Sequence, residues 1–222
     1  MQTMNPFHLA IAVFINLVWG SMYIASKIGL EEFSPIFFTG IRFLLLLICL
    51  SGFLKVSREL VRPLLKIGLL MGVGVYLSLY LSVAFATNTA AIAIFGKLEV
   101  PMAIILGVIL LNEKVGAKRI AGISIAMIGA AIIGFDPTAF DNLPALFFMG
   151  VSAVFGAYLM IKIRELGQVH PLTITAWVSL VGAPVLLMIS FIFESNHAVT
   201  LETATATGWS ALMYTAVMSS VV

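Results

Sequence analysis

Between Ala90 and Leu111 the chain is long and apolar enough to cross a bilayer as a helix, yet its middle reads Gly96-Lys97-Leu98-Glu99-Val100-Pro101. A charge near a bilayer centre costs roughly 2.5–3.5 kcal/mol to insert, so such a residue faces a cavity or a partner rather than lipid. Pro101 removes a backbone donor and kinks the helix just before it, and Gly96 marks the same break. A polar, bendable midpoint in an apolar span is what a membrane transport site needs. The plainer alternative is that Lys97 and Glu99 pair with neighbours in a packed bundle. Residues two apart on a helix do not share a face, so the two are not expected to pair with each other.

The rest of the chain has the same apolar character. Of 222 residues, 61% are hydrophobic and 10% charged, against about a quarter charged in soluble domains. This is the composition of an integral membrane protein. The net charge of +2 does not point to nucleic acid, because the charges are segregated by loop. Cys49 is the only cysteine, which excludes a disulfide within the chain, and no Cys/His metal spacing or cofactor motif is present. The opening Met1–His8 lacks a positive stretch and a cleavage site, so the first apolar run is read as a retained span.

In order, spans are expected at His8–Leu30, Ile36–Leu54, Leu64–Ala86, Ala90–Leu111, Ala117–Gly134, Leu143–Ile161 and Pro171–Phe193. Asn16, Gly20, Tyr23 and Lys27 share one face of the first, next to Trp19. Arg42 lies too deep in the second to be a simple loop charge. Gly68 and Gly72 allow close helix approach in the third, where Tyr76 and Tyr80 lie one turn apart. The third and fourth must be separated by a tight turn at Thr87-Asn88-Thr89. In the fifth, Gly122, Ala126, Ala130 and Gly134 form a smooth packing face. The seventh carries Trp177 and an internal Gly182-Ala183-Pro184. The last run, Gly208–Val222, falls short of the roughly 20 residues a span needs, so the chain is expected to end inside an eighth span.

Lys55, Arg58, Arg62, Lys66, Lys114, Lys118, Arg119, Lys162 and Arg164 all fall at the loops after spans 2, 4 and 6. The loops after spans 1, 3, 5 and 7 carry Glu31, Glu32, Asp136, Asp141, Glu194 and Glu202 and no Lys or Arg. Cytoplasmic loops are the ones enriched in Lys and Arg, which places the N-terminus in the cytoplasm. A shift of 136 residues superposes Gly20 on Gly156, Trp19 on Phe155 and Pro35 on Pro171. Five spans separate the copies, so they run in opposite directions, as in secondary transporters built from inverted repeats.

These residues resemble a known family. Leu17-Val18-Trp19-Gly20-Ser21 with Lys27, Pro35 and Gly40-Ile41-Arg42-Phe43 is similar to the start of the EamA repeat of the drug/metabolite transporter superfamily. Asn88-Thr89-Ala90-Ala91, Pro101 and Leu111-Asn112-Glu113-Lys114 before Ala121-Gly122 resemble the rest of it. The resemblance implies an all-α membrane protein of ten helices in two inverted five-helix repeats. Residues 1–135 form the first, and 143–222 part of the second, ending within helix 8. It also implies a carrier, with many members resembling exporters of amino acids and related metabolites in a bacterial inner membrane. Trp19, Gly20, Arg42 and the middle of span 4 would lie at the central cavity or its gate. Lys97 and Glu99 depart from the family's usual small or polar residues, which makes a charged or zwitterionic substrate, or proton coupling through Glu99, the expectation. Trp19, Tyr23, Arg42, Tyr76, Tyr80, Lys97, Glu99 and Trp177 are the candidate substrate or gating residues. The rival readings are a channel or a non-transporting scaffold. A membrane enzyme is disfavoured because His8, His170 and His197 sit apart, with no acidic partners at ligand spacing.

Overall fold

The computed structural model describes residues 6–112, 114–134 and 143–221. Its helices are α1 (Pro6–Leu30), α2 (Pro35–Leu50) with a 3-10 turn Ser51–Leu54, α3 (Arg58–Gly68), a π-helical segment Leu69–Val75, α4 (Tyr76–Phe85), α5 (Thr89–Gly96), α6 (Glu99–Leu111), α7 (Ala117–Gly134), α8 (Leu143–Leu166), α9 (Pro171–Phe193), α10 (His197–Thr203) and α11 (Ala206–Val221). No strand occurs among the described residues. Six segments there are long and apolar enough to cross a membrane: Phe7–Leu30, Pro35–Leu54, Arg58–Phe85, Thr89–Leu111, Leu143–Leu166 and Pro171–Phe193. The expected loop around Asp136 and Asp141, and Glu113, lie outside the described residues.

The span read as Leu64–Ala86 begins earlier. Its helix is continuous from Arg58, and its middle is wound as the π segment. Gly68 and Gly72 sit in this region, as the close-approach motif requires. A Cβ on Gly72 would lie 3.0 Å from the Gly182 Cα of α9, and one on Gly68 3.0 Å from the Trp177 carbonyl oxygen. Backbones this close leave no room for a side chain. Gly74 faces the other way, onto Phe155 of α8. The smooth face expected on α7 behaves differently, since a Cβ on Gly122 would meet nothing within 4 Å.

Span 3 ends on a cation. Lys27 of α1 donates its ammonium to the carbonyl oxygens of Val83 (3.3 Å), Ala84 (3.3 Å) and Ala86 (2.7 Å). These carbonyls lie at the C-terminus of α4, where helix acceptors lack a full set of backbone partners and the helix dipole favours positive charge. Lys27 therefore closes a helix end, neither snorkelling to the interface nor standing in a cavity. The turn that follows is as short as expected. Asn88 caps α5 by accepting from the Ala90 and Ala91 amides at 3.0 and 3.4 Å.

Packing is dominated by α2 on α9, then by α1 on α11 and by α4 on α8. Thr39 and Thr175, 136 positions apart, each donate a hydroxyl back to the carbonyl of the proline that opens their helix, Pro35 and Pro171, at 2.7 and 3.2 Å.

At the acidic-loop end two carboxylates hold helix N-termini across the bundle. Glu194 accepts from the Ile36 and Phe37 amides at 2.9 and 2.8 Å and so caps α2. Ser190 donates to the same carboxylate at 2.7 Å and lies 2.8 Å from Nε2 of His197, whose ring packs against Phe37 and Phe191. Glu32 accepts from the Thr205 amide and hydroxyl, both at 2.6 Å, at the start of α11. The Thr205 hydrogen bonds hold the Glu32 carboxyl below its ordinary value of 4.5. A carboxylate whose folded value is lowered stabilises the fold above the unfolded value, and that contribution fades as pH falls through the folded one. Glu32→Gln should therefore lower the melting temperature at about pH 7 and converge with the parent as pH falls below the lowered folded value. A scan of melting temperature against pH checks this, and a constant offset at every pH would contradict it.

Candidate functional site

The break in span 4 falls where Pro101 requires it. Pro101 has no N–H for the Lys97 carbonyl, which instead receives the Val100 amide at 3.2 Å. Lys97 and Leu98 likewise bond three residues back, to Ile94 and Phe95, both at 3.0 Å. This tight turn ends α5 at Gly96 and starts α6 at Glu99, with Pro101 in the first turn of α6, where a missing N–H costs nothing. The expected kink is thus a full interruption that splits the span into two helices.

The turn is flanked by α1 and α8. A Cβ on Gly96 would lie 3.2 Å from both the Tyr23 hydroxyl and the Met149 sulfur, so glycine there admits both. The Lys97 ammonium stands 5.8 Å from the centre of the Trp19 ring, within cation–π range. Trp19 is itself 48% exposed. Glu99 turns the other way, half-buried, onto α8, where a Cβ on Gly156 would lie 2.6 Å from its carboxyl carbon. A Cβ at 156 would push this carboxylate aside, so glycine there lets it sit against α8. Among the described residues, the one salt bridge is Lys162–Glu165, so Lys97 and Glu99 do not pair. Two opposite charges are therefore presented on either side of one turn, each against a different span.

Arg42 forms a separate centre. It is 0% exposed, and its Nε donates to the Thr215 carbonyl of α11 at 2.9 Å. Its guanidinium carbon lies 4.5 Å from the Tyr76 ring centre, 5.3 Å from Phe43 and 5.7 Å from Tyr80. The Tyr76 and Tyr80 rings are stacked with 25° between their planes. Together with Phe43 they surround the buried guanidinium within cation–π range. Tyr76 packs against all three hydrophobic clusters of the core.

Trp177 is 8% exposed in α9 and its indole N–H has no partner among the described residues. The eight candidates thus divide into a turn group (Trp19, Tyr23, Lys97, Glu99), a buried clamp (Arg42, Tyr76, Tyr80), and Trp177. Sequence reasoning missed Gly156 as the seat of Glu99. The signal was available, because the 136-residue shift aligns Gly156 with Gly20. Among the described residues no group of three or more His, Cys, Asp or Glu is gathered to hold a metal.

Residues 7–135 match the model of the EamA-like transporter family, more than half of the chain. A probable amino-acid metabolite efflux pump of Salmonella typhimurium is 25% identical over 123 residues, 55% of this chain and 41% of that protein. A protein of the same description from Escherichia coli is 25% identical over 145 residues, 63% of this chain and 46% of its own length. An uncharacterized transporter, YoaV, of Bacillus subtilis is 25% identical over 199 residues, 82% of this chain and 65% of that protein. The chain thus spans 41% to 65% of the length of these relatives. The names are those of transporters rather than enzymes. The chain belongs to the EamA-like transporter family.

Proposed function

We propose that this member of the EamA-like transporter family is a secondary carrier that exports amino acids or related small polar metabolites by alternating access. The observation that carries the reading is the interrupted fourth span, which offers Lys97 to Trp19 and Glu99 to Gly156 from one turn. A zwitterion has the complementary pattern. Its carboxylate pairs with Lys97 and its ammonium with Glu99, while Trp19 and Tyr23 supply apolar and aromatic surface. Glu99 can also exchange a proton, which would couple flux to the proton gradient. The efflux-pump descriptions of two relatives support the same substrate class.

The two-repeat reading, 1–135 and 143–222, rests on internal correspondences. Under it span 1 corresponds to span 6, 2 to 7 and 3 to 8. Span 1 packing on span 8 then corresponds to span 6 packing on span 3, and both contacts are extensive. Spans 2 and 7, each other's counterparts, pack on one another. The paired Thr39–Pro35 and Thr175–Pro171 bonds fit this as well. Rocking of one repeat against the other would then carry substrate past the broken span. The Lys and Arg distribution supports a cytoplasmic N-terminus, and the bacterial relatives support a bacterial inner membrane.

A thermal-shift screen of the purified protein against amino acids and their metabolites tests the reading. A ligand present at 100 times its dissociation constant adds about 2.7 kcal/mol of stability, enough to raise the melting temperature by several degrees. Stabilisation by zwitterions that is lost in Lys97→Met and Glu99→Gln supports it. No stabilisation by any member of the panel favours a scaffold.

A further inference from the structure

A cavity of about 480 Å³ opens at the basic-loop end between the start of span 3 and the end of α8. It is remote in sequence from the broken turn and shares no residue with it. Arg62 and Lys66 line one side, one helical turn apart on α3, and Lys162 and Glu165 line the other on α8. Lys162 is already engaged. It pairs with Glu165 at 2.8 Å and lies 5.4 Å from the Tyr158 ring centre. Among the described residues no hydrogen bond or ion pair engages Arg62 or Lys66. The remaining lining is apolar, with Leu60, Pro63, Ile67, Leu70 and Leu166.

We propose that this cavity is a binding site for a phosphate diester, the headgroup of an anionic phospholipid of the leaflet that faces the basic loops. Arg62 and Lys66 supply two cations at i and i+4, and Lys162, tied back by Glu165, supplies a third that is partly neutralised. The lining carries three cations against one carboxylate, a net positive charge that attracts an anionic phosphate diester. Arg offers it a forked pair of donors and Lys a point charge. The apolar wall beside the cations gives the glycerol and first acyl carbons a surface that a free ion does not use. Basic pockets between spans at this depth are where anionic headgroups bind, and each Lys or Arg near the surface strengthens that attraction. Leu70 belongs to both the cavity and the π segment, so a bound lipid touches the irregular part of span 3 directly.

The test uses the purified protein in nanodiscs of phosphatidylcholine, with phosphatidylglycerol added in steps, and reads melting temperature. Arg62→Ala/Lys66→Ala is compared with Lys55→Ala/Arg58→Ala, which removes two cations of the same loop that do not line the cavity. All four residues are exposed, so both variants should fold. The expected result is a rise in melting temperature with phosphatidylglycerol that needs about tenfold or more additional lipid in Arg62→Ala/Lys66→Ala, while Lys55→Ala/Arg58→Ala follows the parent. A parallel arm adds inorganic phosphate or glycerol phosphate to phosphatidylcholine discs. A rise with the soluble compounds alone, lost in Arg62→Ala/Lys66→Ala, assigns the site to free phosphate rather than lipid. An equal loss in both variants reports general surface charge and overturns the proposal, as does no response to any phosphate compound.

Discussion

Glu99→Gln is expected to lower substrate-driven flux in proteoliposomes by about 100-fold, the equivalent of roughly 3 kcal/mol at this depth. The substitution keeps shape and volume, and the carboxyl carbon faces Gly156 with no room for a larger group. What it removes is the negative charge, and with it both the partner for a substrate amine and the exchangeable proton. Melting temperature should change little, because no protein hydrogen bond or ion pair to Glu99 is lost among the described residues. A pH series separates the two roles. If Glu99 carries the proton, residual exchange in Glu99→Gln is pH-independent while that of the parent is not. Parent-like, pH-sensitive flux in the variant would remove Glu99 from the mechanism. Gly156→Ala should mimic the loss by displacing the carboxylate, since a Cβ at 2.6 Å forces it to move.

Arg42→Ala is expected to act on the fold itself. It empties the space between Tyr76, Tyr80 and Phe43 and deletes the hydrogen bond to the Thr215 carbonyl that ties α2 to α11. Large-to-small changes at sites this buried cost about 3–5 kcal/mol, much of the stability of an ordinary domain. Folded yield should fall sharply, and the surviving fraction should melt many degrees lower. Arg42→Lys should recover only part of the loss, because an ammonium lacks the planar face that lies 4.5 Å from Tyr76. Full recovery with Lys would show that charge alone matters, and an unchanged melting temperature in Arg42→Ala would show that the clamp is not structural.

The contrast between Glu99 and Arg42 shows what the sequence could carry. Depth in an apolar run marks both as costly charges, and that signal is local. Whether such a charge is presented or sealed depends on residues far along the chain, and Thr215 lies 173 positions from Arg42. The same holds for Glu194, which looks like a loop acid but caps a helix 158 positions away. Pro101 was legible, because a missing N–H acts within its own turn. So were Gly68 and Gly72, whose spacing fixes a face without naming the partner. Lys27 was ambiguous for a physical reason: an ammonium at a span end can reach water or a neighbour's carbonyls, and only the position of α4 decides. A Cβ on Gly122 of α7 would meet no neighbour among the described residues, since spacing shows that a close contact is possible and not that one is made.

The π segment Leu69–Val75 makes span 3 mechanically unlike its neighbours. Its wide turns store slack, an extra residue beyond what a regular helix of that rise would hold. Slack of this kind can travel. If it passes along the span toward Phe85, each residue it crosses rotates by about 100° about the axis while the two ends stay where they are. The stretch on either side of it is pinned, by Gly68 against α9 and by Lys27 on the carbonyls of Val83, Ala84 and Ala86. Tyr76 is the first residue such a ripple would turn. A rod anchored at both ends can thus change the surface it shows to its surroundings by twisting in its middle, with no piston stroke and no tilt.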